Sequence, residues 1–373
     1  MSDVPRPRAR RRMAAGFTIG ALVAVMAVVA TAWTVVSKPR VAPDPSPIPT
    51  APARPRAIVA PDPVRLGQAA ARASQLPRLR SLLVSWKGDV ALERYYNGAT
   101  RTTPANIKSA SKTIVSALVG IAIARGDLRD VRQTLGELLP ADARGLDTAK
   151  RAITLEDLLT MRAGLQSTSF ENFGAWVSSN NWVRDALRRP MVAQRGDAGP
   201  MIYSTGNSHV LSAILTRAAR VNTRAYASRY LFEPLGVRLR GWTTDPQGIP
   251  FGGNEMRLTP REMLAFGNLY LNGGATASGA QVVQRTWIDS SWVPRTQSNW
   301  SGHAYGYGWW IRSSRGYRTY FAWGYGGQFI FVIPELQAVV VATSDPETRS
   351  REGGHIDEIY AILDEEIVPA LGG

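Results

Sequence analysis

Ser109-Ala110-Ser111-Lys112 opens a run that continues from Thr113 to Arg125 and stops at Gly126. Ile114, Val115, Ala117, Leu118, Val119, Ile121, Ala122 and Ile123 leave this run no polar face. A helix apolar all round is a central, buried one, and Gly126 suits its C′ position. A three-residue step puts Ser109 and Lys112 on one face of that helix. An ammonium is costly to bury, so the lysine pKa falls and the amine becomes able to take a proton from serine. The first-turn N–H groups and the helix dipole favour negative charge developing at Ser109. By itself, S-x-x-K also fits a capping serine beside a solvated lysine. The surroundings have to decide.

Upstream, Leu82-Leu83-Val84-Ser85-Trp86 and Val90 to Tyr96 flank Lys87-Gly88-Asp89, the pattern of a β-hairpin. Thr154-Leu155-Glu156-Asp157 and Thr259-Pro260-Arg261-Glu262 both read as capping-box helix starts. Near the end, Phe329 to Ile333 and Ala338 to Ala342 flank Pro334-Glu335 and predict two adjacent antiparallel strands. Asp357 to Val368 predicts a closing amphipathic helix. Strands at both ends with helices between them make an α+β fold. Its antiparallel sheet is shared by the terminal segments.

The chain has 373 residues and a formal net charge of +15. Its length suits one large or two ordinary domains. With no cysteine there is no disulfide, no Cys-ligated metal and no thiol nucleophile. His209, His303 and His355 are too scattered to suggest a metal site, and no cofactor is implied. The charge alone would suggest an anionic partner. However, residues 1–65 hold ten basic and three acidic side chains, so nearly half of it lies outside the folded body. The remainder is arginine-biased, with no lysine after Lys150, so no nucleic-acid partner is expected.

Arg6, Arg8, Arg10, Arg11 and Arg12 form a basic tail (1–12) ahead of an uncharged run from Met13 to Val36. At about 1.5 Å per residue this run matches a hydrocarbon core of roughly 30 Å. The arginine excess before it, against Lys38 and Arg40 after it, puts the N-terminus inside. The expectation is a single-pass anchor in the cytoplasmic membrane, with the catalytic domain on the periplasmic, extracytoplasmic side. A cleaved signal ending at Ala30-Thr31-Ala32 is the competing reading of 13–36, and Arg11-Arg12 is a poor twin-arginine match. Residues 37–65, rich in proline from Pro39 to Pro63, read as an extended linker to a folded domain over 66–373.

Further motifs surround the Ser109 run: Ile153 to Leu165, Tyr203-Ser204-Thr205, Gly252-Gly253-Asn254, Tyr305 to Trp310, and Trp323-Gly324-Tyr325-Gly326-Gly327-Gln328. In order and spacing, the set resembles the serine β-lactamase and penicillin-binding-protein superfamily, in its class-C-like branch, over about residues 75–370. The resemblance implies a β-lactamase/transpeptidase-like fold, an antiparallel sheet flanked by helices plus a mostly helical subdomain, and an acyl-enzyme mechanism. Ser109 would be the nucleophile, Lys112 its activating partner and Tyr203 a proton relay. The backbone N–H groups of Ser109 and Tyr325 would form the oxyanion hole. Thr205, Trp323, Gly324 and Asn254 would contact substrate. Trp323 and Trp182 would line an apolar acyl pocket or pack in the core, and His209 would be structural.

Two departures narrow the substrate. Thr205 stands where the family's second motif has asparagine, and Ala322 stands where the third has a lysine or histidine. Both weaken recognition of penicillin-like molecules. The resemblance is therefore nearer to esterases and 6-aminohexanoate-dimer hydrolases, with a small-molecule ester or linear amide as substrate. A DD-peptidase or transpeptidase acting on a cell-wall peptide, or a β-lactamase, is the alternative. A non-catalytic cell-wall-binding protein is the third reading.

Overall fold

The computed structural model describes residues 60–347 and 354–372. The basic tail, the apolar run 13–36 and the proline-dense stretch up to residue 59 lie outside the described residues. Among the described residues, no helix is long and apolar enough to cross a membrane.

The folded body begins slightly earlier than the linker boundary at 65 predicts. Helix α1 spans Pro63–Ser74, with Pro63 in its first turn and the Asp62 carboxylate accepting the Val64 N–H at 2.8 Å. Proline's fixed φ and missing N–H suit a helix start as well as a spacer, so composition misplaces the boundary. The Asp62 N–H donates to the Ala370 carbonyl at 2.8 Å and ties this start to the chain's other end.

Eleven strands follow in the described residues: β1 (Leu79–Trp86), β2 (Asp89–Tyr95), β3 (Ala105–Asn106), β4 (Gly241–Trp242), β5 (Met256–Leu258), β6 (Thr296–Gln297), β7 (Ala304–Tyr305), β8 (Trp310–Ser314), β9 (Tyr317–Gly324), β10 (Gln328–Ile333) and β11 (Ala338–Ser344). Eight form one sheet in the order β2-β1-β11-β10-β9-β8-β7-β6, and β3-β5-β4 form a small second sheet. The predicted hairpin turns at Lys87 and Gly88, both at positive φ (52° and 90°), the geometry whose twist matches flanking strands. Val84 pairs with Val340, so the first and last strands share the sheet as expected.

Alternation along β10 and β11 explains their unbroken apolar sequence. Phe329, Phe331, Ile333, Val340 and Ala342 join a cluster with Leu66 and Ala69 of α1 and with Ile359, Leu363 and Ile367 near the C-terminus. Ile330, Val332, Val339 and Val341 belong to the other cluster, with Met263 and Phe266. Successive side chains face opposite sides, and here both sides are covered.

Helix α2 (Ser111–Ala124) is buried from Ser111 to Ala122, which is why it has no polar face. Long α4 (Thr205–Ala218) packs beside it in the helical half, short α3 (Leu155–Leu159) packs on α4, and α5 (Pro260–Leu271) covers the sheet. Both predicted capping boxes form, at Thr154 and at Thr259. The chain closes through α6 (His355–Ala361), a π-helical stretch Ile362–Ile367 and α7 (Val368–Gly372).

Candidate active site

Ser109 sits on a single 3₁₀ turn, Lys108–Ala110, that leads directly into α2. The three-residue step holds across that junction: Lys112 Nζ lies 3.0 Å from Ser109 Oγ. Two more oxygens complete the surroundings of the amine, the Gly253 carbonyl at 2.8 Å and Thr205 Oγ1 at 3.3 Å. A carbonyl only accepts, and Thr205 Oγ1, which also shares a hydrogen bond of 2.9 Å with Ser169 Oγ, can accept from the amine as well. A neutral amine has two N–H bonds and one lone pair. With the N–H bonds given to Gly253 and Thr205, the lone pair is left facing Ser109. Burial pushes the Lys112 pKa down from 10.5 to about 7, so the neutral form is present at ordinary pH.

Tyr203 is the second group at Ser109. Burial raises its pKa to about 12, and a hydrogen bond with the Ser109 side chain pulls the other way. The phenol therefore keeps its proton at neutral pH and serves as a donor, while Lys112 is the group able to accept one. Lys112 Nζ lies 5.1 Å from the centre of the Tyr203 ring. Aromatic neighbours fix that ring: Trp310 stacks at 5.8 Å, Phe170 lies at 6.2 Å and Trp300 meets it edge-on at 6.3 Å.

The segment Ser167-Thr168-Ser169 holds Tyr203 and Thr205 in place. Ser167 Oγ donates to the Tyr203 carbonyl at 2.7 Å, and Ser169 Oγ accepts the Thr205 N–H at 2.9 Å. Thr168 Oγ1 accepts the Gly206 N–H at 2.7 Å. Ser204, the residue before α4, makes no capping bond of its own, so hydroxyls from a distant segment satisfy the helix start.

The two expected oxyanion donors lie on adjoining segments. A Cβ on Gly324 would sit 2.1 Å from the Ile107 carbonyl, so only glycine lets the end of β9 approach the Ser109 turn this closely. Tyr325 follows at once, with its side chain 39% exposed at the rim.

The beta-lactamase family model matches residues 80–361. The chain belongs to the beta-lactamase family. It is a serine hydrolase, and it is similar to a 6-aminohexanoate-dimer hydrolase from Paenarthrobacter ureafaciens. That relative is 25% identical over 294 residues, covering 72% of this chain and 74% of its own. Two solved structures share the fold. One is EstCE1, described as a hydrolase with promiscuous acyltransferase activity, with TM-score 0.65, 17% identity, and 80% of this chain against 97% of that one. The other is the octameric penicillin-binding protein homologue from Pyrococcus abyssi, with TM-score 0.61, 18% identity, and 81% against 78%.

Within this beta-lactamase-family site, several expected substrate contacts have other partners. Thr205, buried, is turned towards Lys112 and Ser169. Asn254 Oδ1 accepts the N–H of Glu255 at 2.9 Å, and the atom its segment gives to the site is the Gly253 carbonyl. Trp323 is buried behind Trp300, with ring centres 5.2 Å apart, and it is Trp300 that faces Tyr203. Trp182 belongs to the core: its indole N–H donates to the Val177 carbonyl, and its ring packs on Phe251 and His209. His209 is structural, as expected, with Nε2 3.0 Å from Asp245 Oδ2. Sequence reasoning did not reach Ser169, Phe170, Trp300 or the Gly253 carbonyl. A carbonyl has no sequence signature, and the other three are brought in by chain folding alone.

Proposed function

We propose that the protein hydrolyses an ester or unstrained linear amide through a Ser109 acyl-enzyme. The observation that carries this reading is the buried Lys112 amine, held 3.0 Å from Ser109 Oγ between the Gly253 carbonyl at 2.8 Å and Thr205 Oγ1 at 3.3 Å. Ser109 Oγ attacks the substrate carbonyl carbon while its proton passes to Lys112 Nζ. The Ser109 and Tyr325 N–H groups receive the developing oxyanion. The proton then travels through the Tyr203 hydroxyl to the leaving alcohol or amine as the C–O or C–N bond breaks. Water attacks the acyl ester, the acid departs and Ser109 recovers its proton.

Substrate class follows from what flanks this machinery. Thr205 is engaged with Lys112 and Ser169, and Ala322 is fully buried and uncharged, so neither takes the substrate-holding role of its family counterpart. The aromatic wall of Phe170, Tyr203 and Trp300 favours an apolar or extended acyl group. The linear amide named for the Paenarthrobacter relative fits that class. On the charge pattern of residues 1–40, the domain works outside the cytoplasm on a membrane anchor.

A fluorophosphonate probe should label the protein at Ser109, and p-nitrophenyl esters should be turned over. Ser109→Ala should abolish both. Full activity in that variant sinks the nucleophile assignment. Benzylpenicillin hydrolysis should be slow or undetectable, and efficient nitrocefin turnover contradicts the substrate argument.

A further inference from the structure

Immediately before the nucleophile stands a second lysine that the acyl-transfer chemistry does not use. Lys108 has φ 49°, in the left-handed region that side-chain-bearing residues seldom occupy. Glu255 has φ 58° and is likewise not glycine. Such conformations persist only where surrounding contacts over-determine them. Here the two strained residues hold each other: Lys108 Nζ lies 3.1 Å from Glu255 Oε1.

Asn106 closes the ring. Its Oδ1 accepts the Lys108 N–H at 3.1 Å, and its Nδ2 donates to Glu255 Oε2 at 2.7 Å. The pair is sheltered, with the side chains 12% and 27% exposed, so solvent screens it less than a surface ion pair. A second carboxylate, Glu347, reaches Lys108 from outside at 3.5 Å and is itself 73% exposed. With two carboxylates on it, the Lys108 ammonium is a poor candidate for holding a substrate anion.

The ring joins two segments distant in sequence. One is the turn that carries Ser109, the next residue after Lys108. The other is the turn Gly253-Asn254-Glu255, whose Gly253 carbonyl holds the Lys112 amine at 2.8 Å. Backbone pairing of Ala105 and Asn106 with Leu258 and Arg257 aligns the segments, and the Ile107 N–H donates to the Met256 carbonyl at 2.9 Å. The Glu255 carboxylate therefore fixes nucleophile and base against each other from outside the reacting atoms.

We propose that Lys108, Glu255 and Asn106 form a clamp that positions Ser109 against Lys112. The inference rests on reading Ser109 as the nucleophile. These are positioning residues: none touches the reacting carbonyl, so their loss slows acylation without weakening substrate binding.

The test measures the rate of Ser109 acylation, by fluorophosphonate labelling and by p-nitrophenyl ester burst, in four variants of the full-length protein. Glu255→Ala should acylate about tenfold or more slowly, with the substrate dissociation constant, read from the concentration dependence of the acylation rate, within about twofold, since small misplacements of reacting groups cost rate steeply. Glu255→Gln keeps a hydrogen-bonding end and should recover part of that loss. Lys108→Gly should acylate faster than Lys108→Ala, because glycine adopts φ 49° without the clamp. Wild-type rates in Glu255→Ala, or an alanine at 108 equal to or better than glycine, overturn the proposal. A crystal structure of Glu255→Ala adds a readout independent of activity. Lys108 should leave the left-handed region, and Ser109 Oγ should move from Lys112 Nζ beyond hydrogen-bond range of about 3.5 Å. Unchanged geometry overturns the clamp. Failure of the wild type to be labelled overturns the nucleophile reading instead, and the crystal structure still decides the clamp.

Discussion

Two buried titratable groups, Lys112 and His209, lie on neighbouring helices and share the same burial, yet they differ in every other respect. His209 Nε2 meets Asp245 Oδ2 at 3.0 Å, with both side chains fully buried. Trp176, Trp182 and Phe251 enclose the ring. Asp245 is satisfied from all sides, since its other oxygen accepts the Gln247 and Ile249 N–H groups at 2.8 and 2.9 Å. Burial pushes the Asp245 carboxyl up, but the bonds from His209, Ile249 and Gln247 outweigh it and hold the pKa below the usual range. Burial pushes His209 down, against the pull of Asp245. Lys112 has no carboxylate partner among the described residues, and its amine lies 3.0 Å from a half-buried serine hydroxyl. Burial alone does not mark a catalytic group. The mark is an unspent lone pair with a path to substrate.

The comparison breaks most sharply at Lys112. Lys112→Met should lower the acylation rate at least about a thousandfold, the upper range for losing a general base, while the protein stays folded. In the wild type, kcat/KM should fall below an acid limb near pH 7, where Lys112 takes up a proton and loses its lone pair. An acid limb displaced to the ordinary lysine range contradicts the assignment, as does substantial activity in the methionine variant.

Asp245→Ala tests the other member and should give the opposite signature. It strands the His209 Nε2 proton and two backbone N–H groups in an apolar enclosure. Removing one partner of such a buried pair costs roughly 3–5 kcal/mol of stability, read by urea denaturation. The surviving folded fraction should keep kcat within a few-fold of wild type. A large kcat loss at unchanged stability places His209 in the chemistry and removes the contrast.

What the sequence shows and what it hides divide along the same physical line. The Ser109–Lys112 step, the hairpin turn at Lys87 and Gly88, and the β10 and β11 runs are local patterns written by helical or strand period. Tyr203 comes from motif likeness, and its hydrogen bond to Ser109 comes only from the fold. The Ser167–Ser169 segment reaches the α4 start across 36 residues, and no periodicity announces such a contact. Trp182 and Trp300 look alike as apolar aromatics in sequence. Folding sends one to the core beside Phe251 and the other to the face of Tyr203.

The smallest expected effect separates the cost of Lys112 from its use. The pKa of Lys112 falls from 10.5 in the unfolded chain to about 7 in the folded protein. Between these values the unfolded chain binds a proton that the native state does not, so stability rises with pH across that window. It is highest above the unfolded pKa, is lost as pH falls towards 7, and is insensitive to this group below that. From pH 7 to pH 9 the gain amounts to about 2 kcal/mol, within the limit of about 1.4 kcal/mol per pH unit. The ceiling of pH 9 keeps the buried tyrosines, whose ordinary pKa is 10.0, from adding an opposite trend. Urea denaturation at the two pH values should show this gain in the wild type and not in Lys112→Met. Parallel slopes mean that Lys112 stays charged when buried, and then it cannot be the base. A difference of the expected sign means that the fold gives up stability at neutral pH to keep an amine neutral beside Ser109, a sacrifice that His209, already matched to Asp245, does not require.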